Sequence, residues 1–336
     1  MGCRGRGARP RSVASPLVDS TGREAGRIGL AGTDATPAGA RIGRSARHLE
    51  LGERRYDVEH RALVMGIVNR TPDSFYDRGA TFALDALLRR AEQLVTEGAD
   101  LIDVGGVKAG PGPEVSEAEE LERVVPAIEA ITARFDVPVS VDTWRASVAR
   151  ASFGAGAVVG NDISGFADPG YLEVAAQAGA SVVATHIRLA PRIPDPDPVY
   201  VDVVATVAGI LEGLADRAAA AGVPAERVML DAGLDLGKTA EQSLALLQVS
   251  DVLAGLGHPL VLSASNKTFL GTRLGLEITD RREASLSAAA LGVILGCRVL
   301  RVHDVAGTVR VRDALAEVLS ERGGAPVRAR RPRRPR

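Results

Sequence analysis

Short apolar runs rich in β-branched residues recur along the chain, separated by longer stretches with helical periodicity. This alternation restricts the fold more than any other feature of the sequence. The runs are ALVMGIV (62–68), ADLIDV (99–104), VPVSVD (137–142), AVVGND (157–162), ASVVATH (180–186), RVMLDAG (227–233), HPLVLSAS (258–265) and CRVLRVHD (297–304). Each is continuously apolar rather than alternating, the pattern of a strand buried on both faces of a parallel sheet. Between them lie helical patterns at 83–98, 116–135, 200–222, 239–257 and 281–296, several closed by a glycine, a common helix C-terminal signal. Eight strand–helix units in about 260 residues predict an α/β fold of the TIM (β/α)8 barrel type, a single domain over 58–320. A doubly wound open sheet is the structural rival. It requires a glycine fingerprint after its first strand, and VNRTPDSF, which stands there, has none.

The ends of the chain read differently. Residues 1–45 and 323–336 are rich in Arg, Gly and Pro and lack apolar periodicity, so they bury too little to repay ordering and are expected to be disordered. The formal net charge of −1 gives no global excess that would draw the protein to nucleic acid or to a membrane surface. No apolar stretch reaches the ~20 residues of a membrane span. Aromatic residues make up only 3% of the chain, so the core must be built from Ala, Val, Leu and Ile. Cys3 and Cys297 lie almost the whole chain apart, which suggests neither a disulfide framework nor a metal cluster and fits a cytoplasmic setting.

In barrels of this kind the site is built at the carboxyl ends of the strands. Here nearly every predicted strand ends in a polar group: Asn69, Asp103, Asp142, Asn161 with Asp162, His186, Asp231, Ser265 with Lys267, and Arg301 with His303 and Asp304. A single Asp or Asn after a strand is often only a helix cap; the repetition around the barrel predicts one polar mouth. Asp142, Asn161 and Asp231 can pair with the amino, imino and carbonyl groups of a planar heterocycle. Lys267, Arg301 and His303 form a cationic sector suited to a phosphate or diphosphate. Nucleophile-elbow, HExxH and P-loop patterns are absent, so protease, zinc-hydrolase and P-loop readings rank low.

Seven ordered blocks, MGIVNRTPDSFYDRG (65–79), IDVGG (102–106), VSVDT (139–143), NDISG (161–165), DAGLDLGKT (231–239), SNKTFLG (265–271) and RVHDV (301–305), resemble those of dihydropteroate synthases. The resemblance implies a transferase that joins 6-hydroxymethyl-7,8-dihydropterin diphosphate to p-aminobenzoate in folate biosynthesis, releasing pyrophosphate. It also implies Mg2+ and a homodimer. Carried over position by position, Asp142, Asn161, Asp231 and Lys267 match the pterin-binding residues. Asn69, Arg301 and His303 match residues associated with the diphosphate, and Asn69 also with the metal. Ser265 matches a serine that helps hold the p-aminobenzoate carboxylate. No covalent protein nucleophile is implied.

The departures gather on the acceptor side. After DVGG the family usually reads Glu-Ser-Thr-Arg-Pro, where this chain has Val107, Lys108, Ala109, Gly110 and Pro111. Lys108 reads either as a substitute anion clamp for the lost arginine, although lysine lacks its planar fork, or as the mark of a changed substrate. A family arginine is Asn266, an aromatic is Leu236 and a glycine is Asp235. Of a family methionine-histidine-methionine strand end, His186 alone is kept, between Thr185 and Ile187. The pattern suggests a divergent paralogue, and two alternatives to plain synthase activity follow. One is a paralogue with weak or no synthase activity or a different acceptor. The other is a pterin-dependent methyltransferase, whose barrels share the Asp–Asn–Asp arrangement but not the 265–271 and 301–305 blocks.

Overall fold

A computed structural model describes Gly2 and residues 47–69 and 79–320. Apart from Gly2, the tails expected at 1–45 and 323–336 lie outside the described residues, as does most of the 65–79 block. Eight parallel strands close into a barrel: β3 (Leu63–Asn69), β4 (Leu101–Gly105), β5 (Val139–Asp142), β6 (Val159–Asp162), β7 (Ser181–Thr185), β8 (Val228–Asp231), β9 (Leu260–Leu262) and β10 (Cys297–Val302). Strand β10 pairs with β3 through Val299↔Leu63 to Val302↔Gly66, which completes the closure. Six of them fall within the apolar runs read from the sequence, and β3 and β4 each run one residue past theirs, to Asn69 and Gly105.

Each strand is followed by helix. The connections carry α1 (Gly79–Thr96), α2 (Glu117–Arg134), α3 (Ala146–Gly154), α4 (Tyr171–Ala178), α5 (Val203–Ala220), α6 (Ala240–Gln248) with α7 (Ser250–Ala254), α8 (Thr268–Thr272) with α9 (Arg282–Ile294), and α10 (Val305–Ser320). Local chemistry sets several starts. Ser116 caps α2 by accepting from the Glu119 amide, Asp202 caps α5 by accepting from Val204 and Ala205, and Thr239 and Gln242 form a capping box on α6. The pattern at 239–257 is one helix by periodicity but two in the structure. At Val249 (φ −116°, ψ 29°) the helix breaks, and the Ser250 hydroxyl donates to the Leu247 carbonyl at 2.9 Å, part of the local bonding that competes with helix continuation.

The barrel interior is filled from successive strands by Leu63 and Met65, Leu101, Val159, Val183, Met229, Val261 and Val299. A hairpin of β1 (His48–Leu51) and β2 (Arg54–Asp57) adds Leu49 and Leu51 to that cluster. It sits at the amino ends of the strands, where Arg227, just before β8, donates to Glu50 and to the Gly52 carbonyl. The domain expected over 58–320 therefore gains a plug on its N-terminal side. Its signal was present in HLEL, alternating over four residues, with Gly52 at the turn in the left-handed region (φ 61°). With the amino end sealed, the carboxyl ends are the open mouth. Among the described residues no helix is long and apolar enough to cross a membrane.

Candidate functional site

Asp103, at the middle of β4, is fully buried and organises the mouth. One carboxylate oxygen accepts from the Ser140 hydroxyl at 2.6 Å; the other accepts from Asn161 Nδ2 at 3.2 Å and from Arg301 Nε at 2.7 Å. Arg301 reaches on to Asp142, with its second guanidinium nitrogen 2.6 Å from Oδ2. One guanidinium thus bridges two carboxylates on different strands. Burial opposes its charge, yet Asp103 and Asp142 more than offset this and hold it above its usual range. For Asp142 burial is the larger effect: its carboxyl is pushed up to about 7 despite the pull of Arg301, with Asp103 adding to the rise.

Asp142, Asn161, Asp231, Lys267 and Arg301 line one cleft of about 280 Å3, together with Ser263 and Thr185. That volume is at the small end of small-molecule sites and suits one fused heterocycle better than two complete substrates. Asp231 is oriented by the Gly233 amide, which donates to Oδ1 at 2.7 Å. Lys267 donates to the Leu234 carbonyl at 2.5 Å; burial lowers its pKa, and the charges of Asp231 and Asp235 favour the ammonium. The cleft therefore presents carboxylates, an amide and two cations around apolar Ile163 and Leu236, the mixture that pairs with the edge of a nitrogen heterocycle.

The other expected site residues are placed elsewhere. Ser265 and His303 line a neighbouring cleft of about 270 Å3 with Arg282 and Asp304. The Ser265 hydroxyl lies 3.1 Å from His303 Nδ1 and accepts from the His303 amide at 3.2 Å. Desolvation, Arg301 and Arg90 lower the His303 pKa, which favours the neutral ring although the residue keeps an exposed edge. Arg301 lines the 280 Å3 cleft and His303 the neighbouring one, although the Arg301 charge still reaches the His303 ring. Lys108 is exposed on the loop after β4, and its neighbours Ala109 and Gly110 line the 280 Å3 cleft instead. Asn69 is exposed at the end of β3. A methyl group on Gly105 would lie 3.6 Å from both Asn69 Oδ1 and Asp142 Oδ2, an ordinary contact distance, so the two oxygens approach the same side of β4.

Three strand-end residues from the sequence reading have other roles or were assigned none. Asp162 turns from the mouth to bind the Ser164 and Phe166 amides at 2.6 and 3.0 Å, fixing the turn after β6. His186 Nδ1 sits 2.9 Å from the buried ammonium of Lys238, which also donates to the Gly233 and Leu236 carbonyls at 2.8 and 3.0 Å. Burial and Lys238 push the His186 pKa down to about 3, and burial, then Lys267, pushes Lys238 down to about 7. The pair ties the loop that carries Asp235 and Leu236 to the end of β7. Asp103 was visible as a polar strand end, but nothing in its neighbours signalled three partners from three other strands.

Among the described residues there is no cluster of three or more His, Cys, Asp or Glu side chains able to hold a metal ion. A profile of pterin binding enzymes matches residues 65–303. A Mycobacterium leprae protein named inactive dihydropteroate synthase 2 is 46% identical over 270 residues, spanning 78% of this chain and 92% of that one. Dihydropteroate synthase of Bacillus subtilis is 39% identical over 267 residues, spanning 79% and 91%. Among solved structures, Xanthomonas albilineans dihydropteroate synthase with 4-aminobenzoic acid superposes with a TM-score of 0.75 at 37% identity, covering 84% of this chain and 100% of that one. With its closed eight-stranded barrel and a heterocycle-sized polar cleft at the carboxyl ends, this chain belongs to the family of pterin-binding enzymes and is a divergent relative of the dihydropteroate synthases.

Proposed function

We propose that the 280 Å3 cleft binds the ring of 6-hydroxymethyl-7,8-dihydropterin diphosphate and that the protein transfers the pterin methylene to an aromatic amine, p-aminobenzoate in the plain form of the reaction. The observation that carries this is the convergence of Asp142, Asn161, Asp231, Lys267 and Arg301 on one cleft. The carboxylates of Asp142 and Asp231 accept from the ring's amino and imino groups, Asn161 serves donor and acceptor alike, and Lys267 addresses a ring carbonyl. Arg301 keeps Asp142 oriented while presenting its guanidinium to the cleft. The amine nitrogen attacks the methylene carbon, the carbon–oxygen bond to the diphosphate breaks, and the amine proton passes to water. An arylamine is neutral at pH 7, so positioning and charge stabilisation supply the rate without a protein nucleophile.

Asn69, His303 and Lys108 are assigned to the rim that meets the diphosphate, and Ser265 to the acceptor side. Mg2+ fits this rim only as an ion held jointly by protein and substrate: Asn69 Oδ1 offers one oxygen across Gly105, and the diphosphate would provide others, the usual habit of this ion. When bound it would neutralise charge on the departing pyrophosphate. A cytoplasmic homodimer completes the proposal, on the strength of the resemblance.

A second reading, a pterin-binding paralogue with weak or no synthase activity, is favoured by Ala109 and Gly110 lining the cleft where the family places a threonine and an arginine. The name of the M. leprae relative points the same way. A coupled assay of pyrophosphate release with the pterin diphosphate and p-aminobenzoate separates the two. Turnover supports the synthase; pterin binding without turnover supports the paralogue, and loss of both refutes the shared reading.

A further inference from the structure

A second, smaller cleft of about 150 Å3 adjoins the first, and Ala109, Gly110, Asp235 and Leu236 line both. Its remaining walls mix apolar Pro111, Leu189, Ile193 and Pro194 with Arg192, Asp195 and Lys238. The shared wall carries a fixed negative charge. Asp235 adopts a left-handed backbone (φ 65°), a conformation that Asp and Asn reach more readily than other non-glycine residues. Here its own amide donates to the Ser243 hydroxyl at 3.1 Å. Its Oδ2 accepts from the Thr268 and Phe269 amides at 2.6 and 3.3 Å, at the start of α8. Turning this carboxylate away would strand two amides, so it remains in the wall between the clefts.

The cations around it already have partners. Lys238 is enclosed by three carbonyls and His186, and Lys267 is bound to the Leu234 carbonyl. Arg192 donates to the Pro113 carbonyl, and Arg188 is paired through two nitrogens with Asp195. Asp235 itself favours the charged forms of Lys238 and Lys267. The chain thus holds an internal carboxylate in the wall shared by the two clefts, between the one assigned to the pterin ring and its smaller neighbour.

We propose that Asp235 sets acceptor specificity, excluding a carboxylate-bearing amine, and that the cleft beside it takes an uncharged aromatic amine. This rests on the pterin reading of the larger cleft.

The test uses the full chain in two titrations. The first binds 6-hydroxymethyl-7,8-dihydropterin with inorganic pyrophosphate, an unreactive pair. The second adds either p-aminobenzoate or its uncharged methyl ester. The expected result is an ester affinity about tenfold or more above that of the acid, with the gap narrowing as salt screens the repulsion. In Asp235→Asn, which keeps an oxygen for the two amides and tolerates the left-handed backbone, the acid gains about tenfold and the ester changes little. The salt series on the unaltered chain decides the matter if that variant does not fold. Equal affinities for acid and ester, a ratio indifferent to both salt and Asp235→Asn, or binding of neither overturns the proposal and leaves the pterin reading standing. Failure of the first titration overturns the pterin reading and this inference with it.

Discussion

Replacing Asp103 with Asn probes how the mouth is held together. The carboxylate accepts from Ser140 Oγ (2.6 Å), Asn161 Nδ2 (3.2 Å) and Arg301 Nε (2.7 Å), all within a fully buried setting. Asn keeps the shape and one acceptor but turns an amide NH2 toward a donor. A lost charge-assisted hydrogen bond costs about 1.5–3 kcal/mol and a neutral one about 0.5–1.5 kcal/mol. Arg301 retains Asp142 at 2.6 Å, so the full penalty of an orphaned buried charge is avoided. The sum is a loss of about 2–4 kcal/mol, read as a lower urea midpoint at unchanged m-value.

The same change acts on ligand binding. In the unaltered protein Asp142 sits near 7 because of burial, with Asp103 contributing to the rise. If the pterin requires the carboxylate form, acid weakens binding: the proton competes below the folded pKa and ceases to compete above it. For a group at about 7 the apparent Kd at about pH 6 is roughly tenfold larger than at about pH 8. Removing the Asp103 charge leaves Arg301 to Asp142 alone, so the midpoint moves to lower pH and the profile flattens over this range. Titration calorimetry across pH on both proteins reads it. An Asp103→Asn protein within about 0.5 kcal/mol of the original, with an unshifted pH profile, would refute the reasoning.

At the barrel seam, Asp100 accepts from the Val64 amide at 2.8 Å and from the buried Arg312 at 2.5 Å. Asp100→Ala should therefore cost about 2–4 kcal/mol in chemical denaturation, since Arg312 keeps Asp313 at 2.8 Å, with pterin affinity unchanged in whatever fraction remains folded. Lys238→Met removes the ammonium that ties the 233–238 loop to His186; the His186 ring, no longer facing a cation, should titrate at higher pH by NMR. The double change Ala109→Thr with Gly110→Arg fits the fold, since nothing lies within 4 Å of a Cβ built on Gly110. It should raise the p-aminobenzoate-dependent rate if loss of these two groups is the defect, and an unchanged rate in a folded protein would point to the acceptor instead.

The architecture was legible because buried parallel strands and amphipathic helices have different periods, and these survive in a core almost free of aromatics. Asp142, Asn161, Asp231 and Lys267 were legible for a related reason: the closed barrel brings every strand end to one rim, so polar strand ends must meet. What the one-dimensional pattern lacks is side-chain direction. Asn161 and Asp162 are adjacent, yet alternation along β6 sends the first into the cleft and the second into its own turn. Arg301 and His303 share one strand end but belong to different clefts. The role of Asp103 depends on β5, β6 and β10 together, a convergence that no local window contains. Asp235 could be read only as a missing glycine, until its left-handed backbone and its hold on the α8 amides showed what the carboxylate does.

The central claim is that this cleft binds a dihydropterin through Asp142. Titration of the full chain with 6-hydroxymethyl-7,8-dihydropterin diphosphate, beside the Asp142→Ala protein, tests it most directly. The account predicts saturable binding, one ligand per cleft, weakened about thirtyfold or more when the buried acceptor is removed, the ring's donors lose their partner and Arg301 is left to Asp103 alone. No binding to the unaltered chain, or affinities within about threefold of each other, would contradict it.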